Sequence, residues 1–293
     1  MSEWALSAFQ ALMSRPWKTR FAPSPTGYLH YGHVLHAMWV WGVRELSGGT
    51  VALRLEDHDR VRCRPEYSEA LLEGLQWLGL VPDTGLLPDG SADSAAVQSA
   101  HPERYARALE DWKERGGGVY GCACSRADIR NRRGGSGGDV AYDGHCRNSG
   151  LGGPSLRVVI PDREIALPDL HAGVIRENPA RLYGDLRVSD APGQWTYQWC
   201  VVVDDADQGI DLIIRGEDLI DSCGRQAILR ETLFGLPPIL TFHHPLLYRS
   251  PGVKLSKSTG SEGVKRAGAR AWSGTLFPRG ERRTGASNRP GAL

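Results

Sequence analysis

Leu35, Met38, Trp39, Val43 and Leu46 fall at helical spacing, and this predicts a helix preceded by an extended piece, TRFAPS, and a Pro/Gly turn, PSPTG. Gly48 and Gly49 supply its C-terminal stop. The following VALRLED alternates Val51, Leu53 and Leu55 with Ala52 and Arg54, the pattern of a strand, and ends on Glu56 and Asp57. Strand, helix, strand in that order predicts a parallel α/β sheet. Ligands of such a sheet gather beyond the carboxyl ends of its strands, here Pro23 to Gly27 and Glu56 to Asp59. Further helices are expected over Glu66 to Leu80, with Ala70, Leu71, Leu75 and Leu78 on one face, and over His101 to Arg115.

From Gly116 to Pro154 glycine clusters replace apolar residues, so this stretch needs something other than a core to hold it. The β pattern returns at LRVVI. GQWTYQWCVVVDD is expected to be a strand that turns fully apolar as it enters a core, and IDLIIRGEDLI a strand ending at Arg215 and Gly216. A helix is predicted over Ser222 to Phe234. After Ser258 periodicity is lost, and seven Lys or Arg, two Glu and seven Gly make the last stretch read as a basic, poorly packed tail.

With 293 residues, 41% hydrophobic and 24% charged, the composition excludes disorder over most of the chain. No window approaches the roughly 18 apolar residues that span a bilayer, so a cytoplasmic location is expected. The formal charge of +1 gives no whole-molecule attraction to nucleic acid. Six cysteines are too few for a disulfide scaffold, but three lie between Cys122 and Cys146, and that crowding points to a metal.

His30 and His33 stand three apart at the predicted start of a helix, where backbone N–H groups favour a phosphate. GVKLSKSTG is a Gly-flanked loop with Lys254 and Lys257 among hydroxyl residues, suited to closing over a polyphosphate. Alone, the first reads rather as a pair of surface histidines and the second as a solvated basic turn. Together, in this order around an α/β sheet, they resemble the paired nucleotide motifs of class I aminoacyl-tRNA synthetases, as His30-Tyr31-Gly32-His33 and Lys254-Leu255-Ser256-Lys257-Ser258.

RFAPSPTG, RLEDHD, YQWCVVVDD, GIDLIIRGEDL and KLSKS resemble the glutamyl branch of that class over about Arg20 to Ser258. Cys122-Ala-Cys124 followed by Tyr142-Asp-Gly-His-Cys146 is similar to the zinc site of the glutamyl-Q tRNA(Asp) synthetase family, which lacks the anticodon-binding part of glutamyl-tRNA synthetases. The resemblance implies a Rossmann-type α/β catalytic domain in two halves, 15–115 and 194–258, an inserted zinc-binding subdomain at 116–193, and the tail at 259–293. The family normally continues into helical structure past KLSKS. A reading-frame change near Lys265 would account for the tail here, and the coding DNA read in all three frames tests it.

The resemblance further implies ATP binding through His30, Gly32, His33 and Lys257, catalysis by His30, His33, Lys254 and Lys257, and Mg²⁺ with the nucleotide. It assigns L-glutamate to Arg20, Phe21, Ala22, Pro23, Ser24, Glu56, Tyr197 and Arg215. These types suit the substrate, since arginines match carboxylates and a carboxylate matches the ammonium. Three thiolates need a fourth ligand for a closed tetrahedral zinc site. The family implies Tyr142 in that position, with His145 the alternative on donor chemistry. Cys63, Cys200 and Cys223 are read as plain thiols. The expected product is glutamate on queuosine in the anticodon of tRNA(Asp), made by a monomer. The rival expectations are a truncated glutamyl-tRNA synthetase charging tRNA(Glu) and a non-catalytic RNA- or nucleotide-binding relative.

Overall fold

The computed structural model describes residues 2–133 and 141–246, with the backbone of 248–250 and 253–254. Lys257, the KLSKS motif beyond Lys254 and the stretch 259–293 lie outside the described residues.

Helix α1 (Glu3–Met13) is capped by Ser2, whose side chain accepts from the Ala5 N–H. Strand β1 (Lys18–Phe21), helix α2 (Tyr31–Ser47) and strand β2 (Thr50–Leu53) then form the unit the apolar spacing predicts. The two strands run parallel with Arg20 opposite Ala52, and Gly48 ends α2 in the left-handed region at φ 75°. Helices α3 (Pro65–Trp77) and α4 (Pro102–Glu114) both start on proline, whose missing N–H costs nothing in the first turn. Phe21, Val51, Leu53 and Leu55 pack on Ala37, Val40 and Trp41 of α2 and on Leu71 and Leu75 of α3. That core fixes the carboxyl ends of β1 and β2 side by side.

The Gly-rich region holds strand β3 (Val119–Cys122), helices α5 (Arg126–Arg133) and α6 (His145–Ser149), and strand β4 (Ser155–Val158). At Gly153 a Cβ would lie 2.3 Å from the Cys122 carbonyl carbon, so this crossing admits only glycine. Strands β5 (Ile165–Asp169) and β6 (Gly173–Glu177), helix α7 (Pro179–Tyr183), and strands β7 (Leu186–Ala191) and β8 (Gln194–Trp195) follow. Antiparallel pairing in the order β3-β4-β7-β8 makes one sheet. The β5–β6 hairpin belongs instead to the sheet formed by the later strands.

Helix α8 (Tyr197–Asp207) corrects the expectation of a strand, which is confined to Gln194–Trp195. Trp199 to Asp205 are all buried. An element enclosed on every side has no polar face to reveal its period, and the β-branched Val201 to Val203 mimic a buried strand. Strand β9 (Leu212–Gly216), helix α9 (Cys223–Phe234) and strand β10 (Leu240–His244) complete the core, with β10 parallel to both β9 and β5. Short antiparallel strands β11 (Tyr248–Ser250) and β12 (Val253–Lys254) follow. The start of β9 joins that of β1 through the Asp211 N–H to the Lys18 carbonyl, 2.9 Å, so β2, β1, β9 and β10 lie in succession.

Candidate active site

The carboxyl ends of these strands open into a cleft of about 830 Å³. Its walls include Arg20, Ala22, Pro23 and Ser24 from β1 and its turn, His30, Gly32 and His33 from the start of α2, Glu56 beyond β2, Tyr197 from the start of α8, and Arg215 at the end of β9. The one member of the predicted glutamate set that departs is Phe21. Its side chain is 1% exposed, stacked on His36 and edge-on to Trp41, because alternation along β1 sends it into the core.

His30 and His33 form the N-terminal cap of α2. The His30 N–H donates to His33 Nδ1 and the Gly32 N–H to His30 Nδ1, both at 3.1 Å. With each Nδ1 accepting, the neutral ring carries its proton on Nε2. Two imidazole donors thus stand at a helix N-terminus, a setting for phosphate oxygens.

Beneath the cleft is an ionic network that sequence reasoning missed. Arg20 Nε–H donates to Asp205 Oδ1 at 3.1 Å. Arg54 donates to the same oxygen at 2.8 Å and to Glu56 Oε1 at 3.1 Å. Burial pushes the Asp205 carboxyl up, but Arg54 and Arg20 outweigh it and leave its pKa below the ordinary value. Burial raises Glu56, with Arg54 and then Arg20 pulling the other way. The signal was there in Arg54, a charge between apolar neighbours, and in Asp204 and Asp205 closing an apolar run. Glu56 and Arg215, each 4% exposed, are not surface ion-pair residues.

His36 was also missed. It lines the cleft and meets His244 Nε2 through Nδ1 at 3.2 Å. Burial, then the neighbouring His244 and Arg20, brings its pKa down to about 3. Lys254 sits on β12, paired with Tyr248 of β11.

The sulfurs of Cys122, Cys124 and Cys146 lie within 4.8 Å of one another, and all three residues are buried. Arg157 Nε–H donates to Cys122 Sγ and Arg132 Nη2–H to Cys124 Sγ, both at 3.3 Å. Tyr142 Oη lies 3.6 Å from Cys122 Sγ, accepts from the Cys146 N–H at 2.9 Å, and has Arg157 stacked 3.6 Å over its ring. The group drawn from histidine, cysteine and carboxylates does not include His145. Soft, clustered sulfurs with cationic neighbours fit a divalent metal. Cys200 and Cys63 make no part of it. Cys223, expected to be a plain thiol, instead accepts from Arg215 Nη2 at 2.9 Å.

The fold and the cleft are those of a class I aminoacyl-tRNA synthetase, and the family model for tRNA synthetases class I (E and Q), catalytic domain, matches residues 17–278. That match runs past the KLSKS motif into the stretch read as a tail. Proteins named glutamyl-Q tRNA(Asp) synthetase from Ralstonia nicotianae, Thiobacillus denitrificans and Symbiobacterium thermophilum are 37%, 41% and 40% identical to this chain. The alignments cover 86%, 82% and 86% of it and 80%, 77% and 80% of those proteins. The chain belongs to the glutamyl-Q tRNA(Asp) synthetase family. Among solved structures, the glutamate-tRNA synthetase of Elizabethkingia anophelis superposes with a TM-score of 0.69 at 27% identity, over 84% of this chain and 53% of that one. The chain therefore spans about half the length of that synthetase. No helix among the described residues is long and apolar enough to cross a membrane.

Proposed function

We propose that this chain activates L-glutamate with ATP and Mg²⁺, releasing pyrophosphate, and passes the glutamyl group from the adenylate to queuosine in the anticodon of tRNA(Asp). The observation that carries this is the convergence of Arg20, Glu56, Tyr197 and Arg215 in one cleft with the His30–His33 cap. Arginines suit the two carboxylates of glutamate and Glu56 suits its ammonium. The α-carboxylate attacks the α-phosphorus directly, so no side-chain nucleophile is required. What remains for the protein is alignment and the stabilisation of charge building on phosphate oxygens, by the Nε2–H groups of His30 and His33 and by the ammonium groups of Lys254 and Lys257. The chain acts as a monomer, with 116–193 as an inserted subdomain except for the β5–β6 hairpin, which pairs into the sheet of β9 and β10.

Cys122, Cys124, Cys146 and Tyr142 hold one structural Zn²⁺ in this reading. Burial and the neighbouring Cys122 hold the Tyr142 phenol above its ordinary pKa and outweigh the Cys146 N–H, which favours an anionic oxygen, so metal binding itself would have to displace the proton. Tyr142 stands ahead of His145 because its oxygen lies 3.6 Å from Cys122 Sγ, while His145 is not part of the sulfur cluster.

The test is aminoacylation of tRNA(Asp) with and without queuosine, with tRNA(Glu) alongside. Labelled glutamate on queuosine-containing tRNA(Asp) alone is expected. Charging of tRNA(Glu) alone would instead make the chain a glutamyl-tRNA synthetase.

A further inference from the structure

Arg215 reaches the cleft already committed on its far side. Nε–H donates to His243 Nε2 at 3.1 Å, Nη1–H to Gln226 Oε1 at 2.8 Å, and Nη2–H to Cys223 Sγ at 2.9 Å. A guanidinium has five N–H groups, so one remains on each Nη nitrogen. Gln226 is itself oriented, since its Nε2–H donates to Gln198 Oε1 at 2.8 Å, which turns Oε1 toward Arg215.

His243 can accept from Arg215 only with Nε2 bare. Burial and the Arg215 guanidinium oppose a second proton there, while Asp169 on the far side holds the ring proton on Nδ1 and makes the ring more basic; Nε2 also lies 3.5 Å from Cys223 Sγ. Nδ1 lies 2.6 Å from Asp169 Oδ2. Asp169 is pinned in turn by the Thr241 hydroxyl at 2.8 Å and by the backbone N–H groups of His171 and Ala172 at 2.9 and 2.7 Å. The three strands are neighbours in the order β5-β10-β9, and His243 stands directly opposite Arg215 in register. Asp169, His243 and Arg215 are 0%, 1% and 4% exposed. A buried carboxylate, imidazole and guanidinium in line would be an extravagant way to hold a sheet that hydrogen-bonds through its backbone. Their alignment makes sense as a device that aims one arginine.

We propose that Asp169 and His243 are positioning residues for glutamate recognition, fixing the rotation of Arg215 so that its remaining N–H pair meets a substrate carboxylate. This rests on the reading that Arg215 grips glutamate. Were Nε2 protonated, it would present N–H to N–H, and the guanidinium would turn away.

Glutamate-dependent ATP–pyrophosphate exchange tests this with His243→Asn, His243→Gln, Asp169→Asn and Arg215→Lys. Glutamine places its carbonyl oxygen where Nε2 sits, whereas asparagine reaches only the Nδ1 position and leaves Arg215 without its acceptor. His243→Asn is expected to raise the glutamate KM about ten- to hundredfold, the scale of one hydrogen bond to a charged group, with ATP KM and kcat within about twofold. His243→Gln should recover most of that loss, and Asp169→Asn should fall between them. Equal impairment of the two His243 variants overturns the proposal, as does a loss shared by ATP KM and melting temperature without a selective rise in glutamate KM. A raised KM in Arg215→Lys beside a wild-type value in His243→Asn overturns the relay alone. A wild-type KM in Arg215→Lys overturns the reading beneath it as well. Should the His243 variants fail to fold, ¹⁵N-histidine NMR of the wild-type protein decides: a ring protonated on Nδ1 and bare on Nε2 supports the relay, and protonation of Nε2 overturns it.

Discussion

At Asp205 a single carboxylate oxygen receives Nε–H from Arg20 at 3.1 Å and Nη1–H from Arg54 at 2.8 Å, with none of the three side chains more than 4% exposed. Neither arginine has water to fall back on. Asp205→Ala is therefore expected to cost about 3 to 5 kcal/mol, the penalty for leaving buried charge uncompensated, read as a lower urea midpoint. The exposed pair Arg181–Asp162 makes the contrast: breaking it should shift stability by less than about 1 kcal/mol. Lys257→Ala belongs to the same scale but to the reaction and not the fold. Losing one contact to the developing charge is expected to lower kcat about 30- to 1000-fold in pyrophosphate exchange. A rise in glutamate KM with kcat unchanged would remove Lys257 from that role.

Among the elements, β3, α5 and α6 depend on the thiol cluster most directly. Among the described residues, the cluster's one buried aliphatic companion is Ile129, with Tyr120 packed beside it. Chelation of bound metal should expose amides of residues 119–133 and 141–149 to hydrogen exchange before those of β1, β2 and α2. Tyr142→Phe should weaken metal retention and His145→Ala should not, measured as metal content after dialysis; the reverse ranking would give the fourth position to His145. In the second sheet, Asp169 lends β5 a pH dependence. Burial raises its carboxyl, but His243, the Ala172 N–H and Thr241 bring it down to about 2. A depressed carboxylate stabilises above its unfolded pKa near 4 and loses that as pH falls toward 2, a swing of roughly 2 kcal/mol. Urea midpoints of wild type and Asp169→Asn should thus differ most at pH 6 and draw together as pH falls through about 2. The β1–α2–β2 unit was legible in the sequence because it is amphipathic and bounded by turn residues, and α9 because Ile228, Leu229 and Leu233 fall at helical spacing ahead of Gly235. Helix α8 was not, since burial on all sides erases its period, and the β5–β6 hairpin was not, since its partner β10 comes some 70 residues later. The histidines and strand-end arginines could be read from local spacing. The Asp205 and Asp169 networks could not, because their members meet only through tertiary contacts.

At the scale of the whole molecule, the groups proposed for activation that belong to the described side chains surround one cleft. Glutamate activation is therefore expected with ATP, Mg²⁺ and glutamate alone. Pyrophosphate exchange measured after ribonuclease treatment checks this, and strict dependence on added tRNA(Glu) would contradict it. Glutamine, with an amide where glutamate has charge, should be a far poorer substrate in the same assay, because Arg215 would face a dipole in place of a carboxylate. The small formal charge of +1 leaves RNA capture to local surfaces, so salt should weaken transfer to tRNA more than activation.

The crowding of Cys124 and Cys146 has a redox side. Their sulfurs are 3.4 Å apart, and moving them about 1.4 Å closer would reach the length of a disulfide. A metal held there would occupy both thiolates and protect them; once it left, oxidation to a cystine would compete with its return. Peroxide treatment of chelated protein should produce a form lighter by two hydrogens that takes up no metal until dithiothreitol is added. Storage history would then divide a preparation into metallated and cross-linked molecules, two populations of one sequence that no mutation distinguishes.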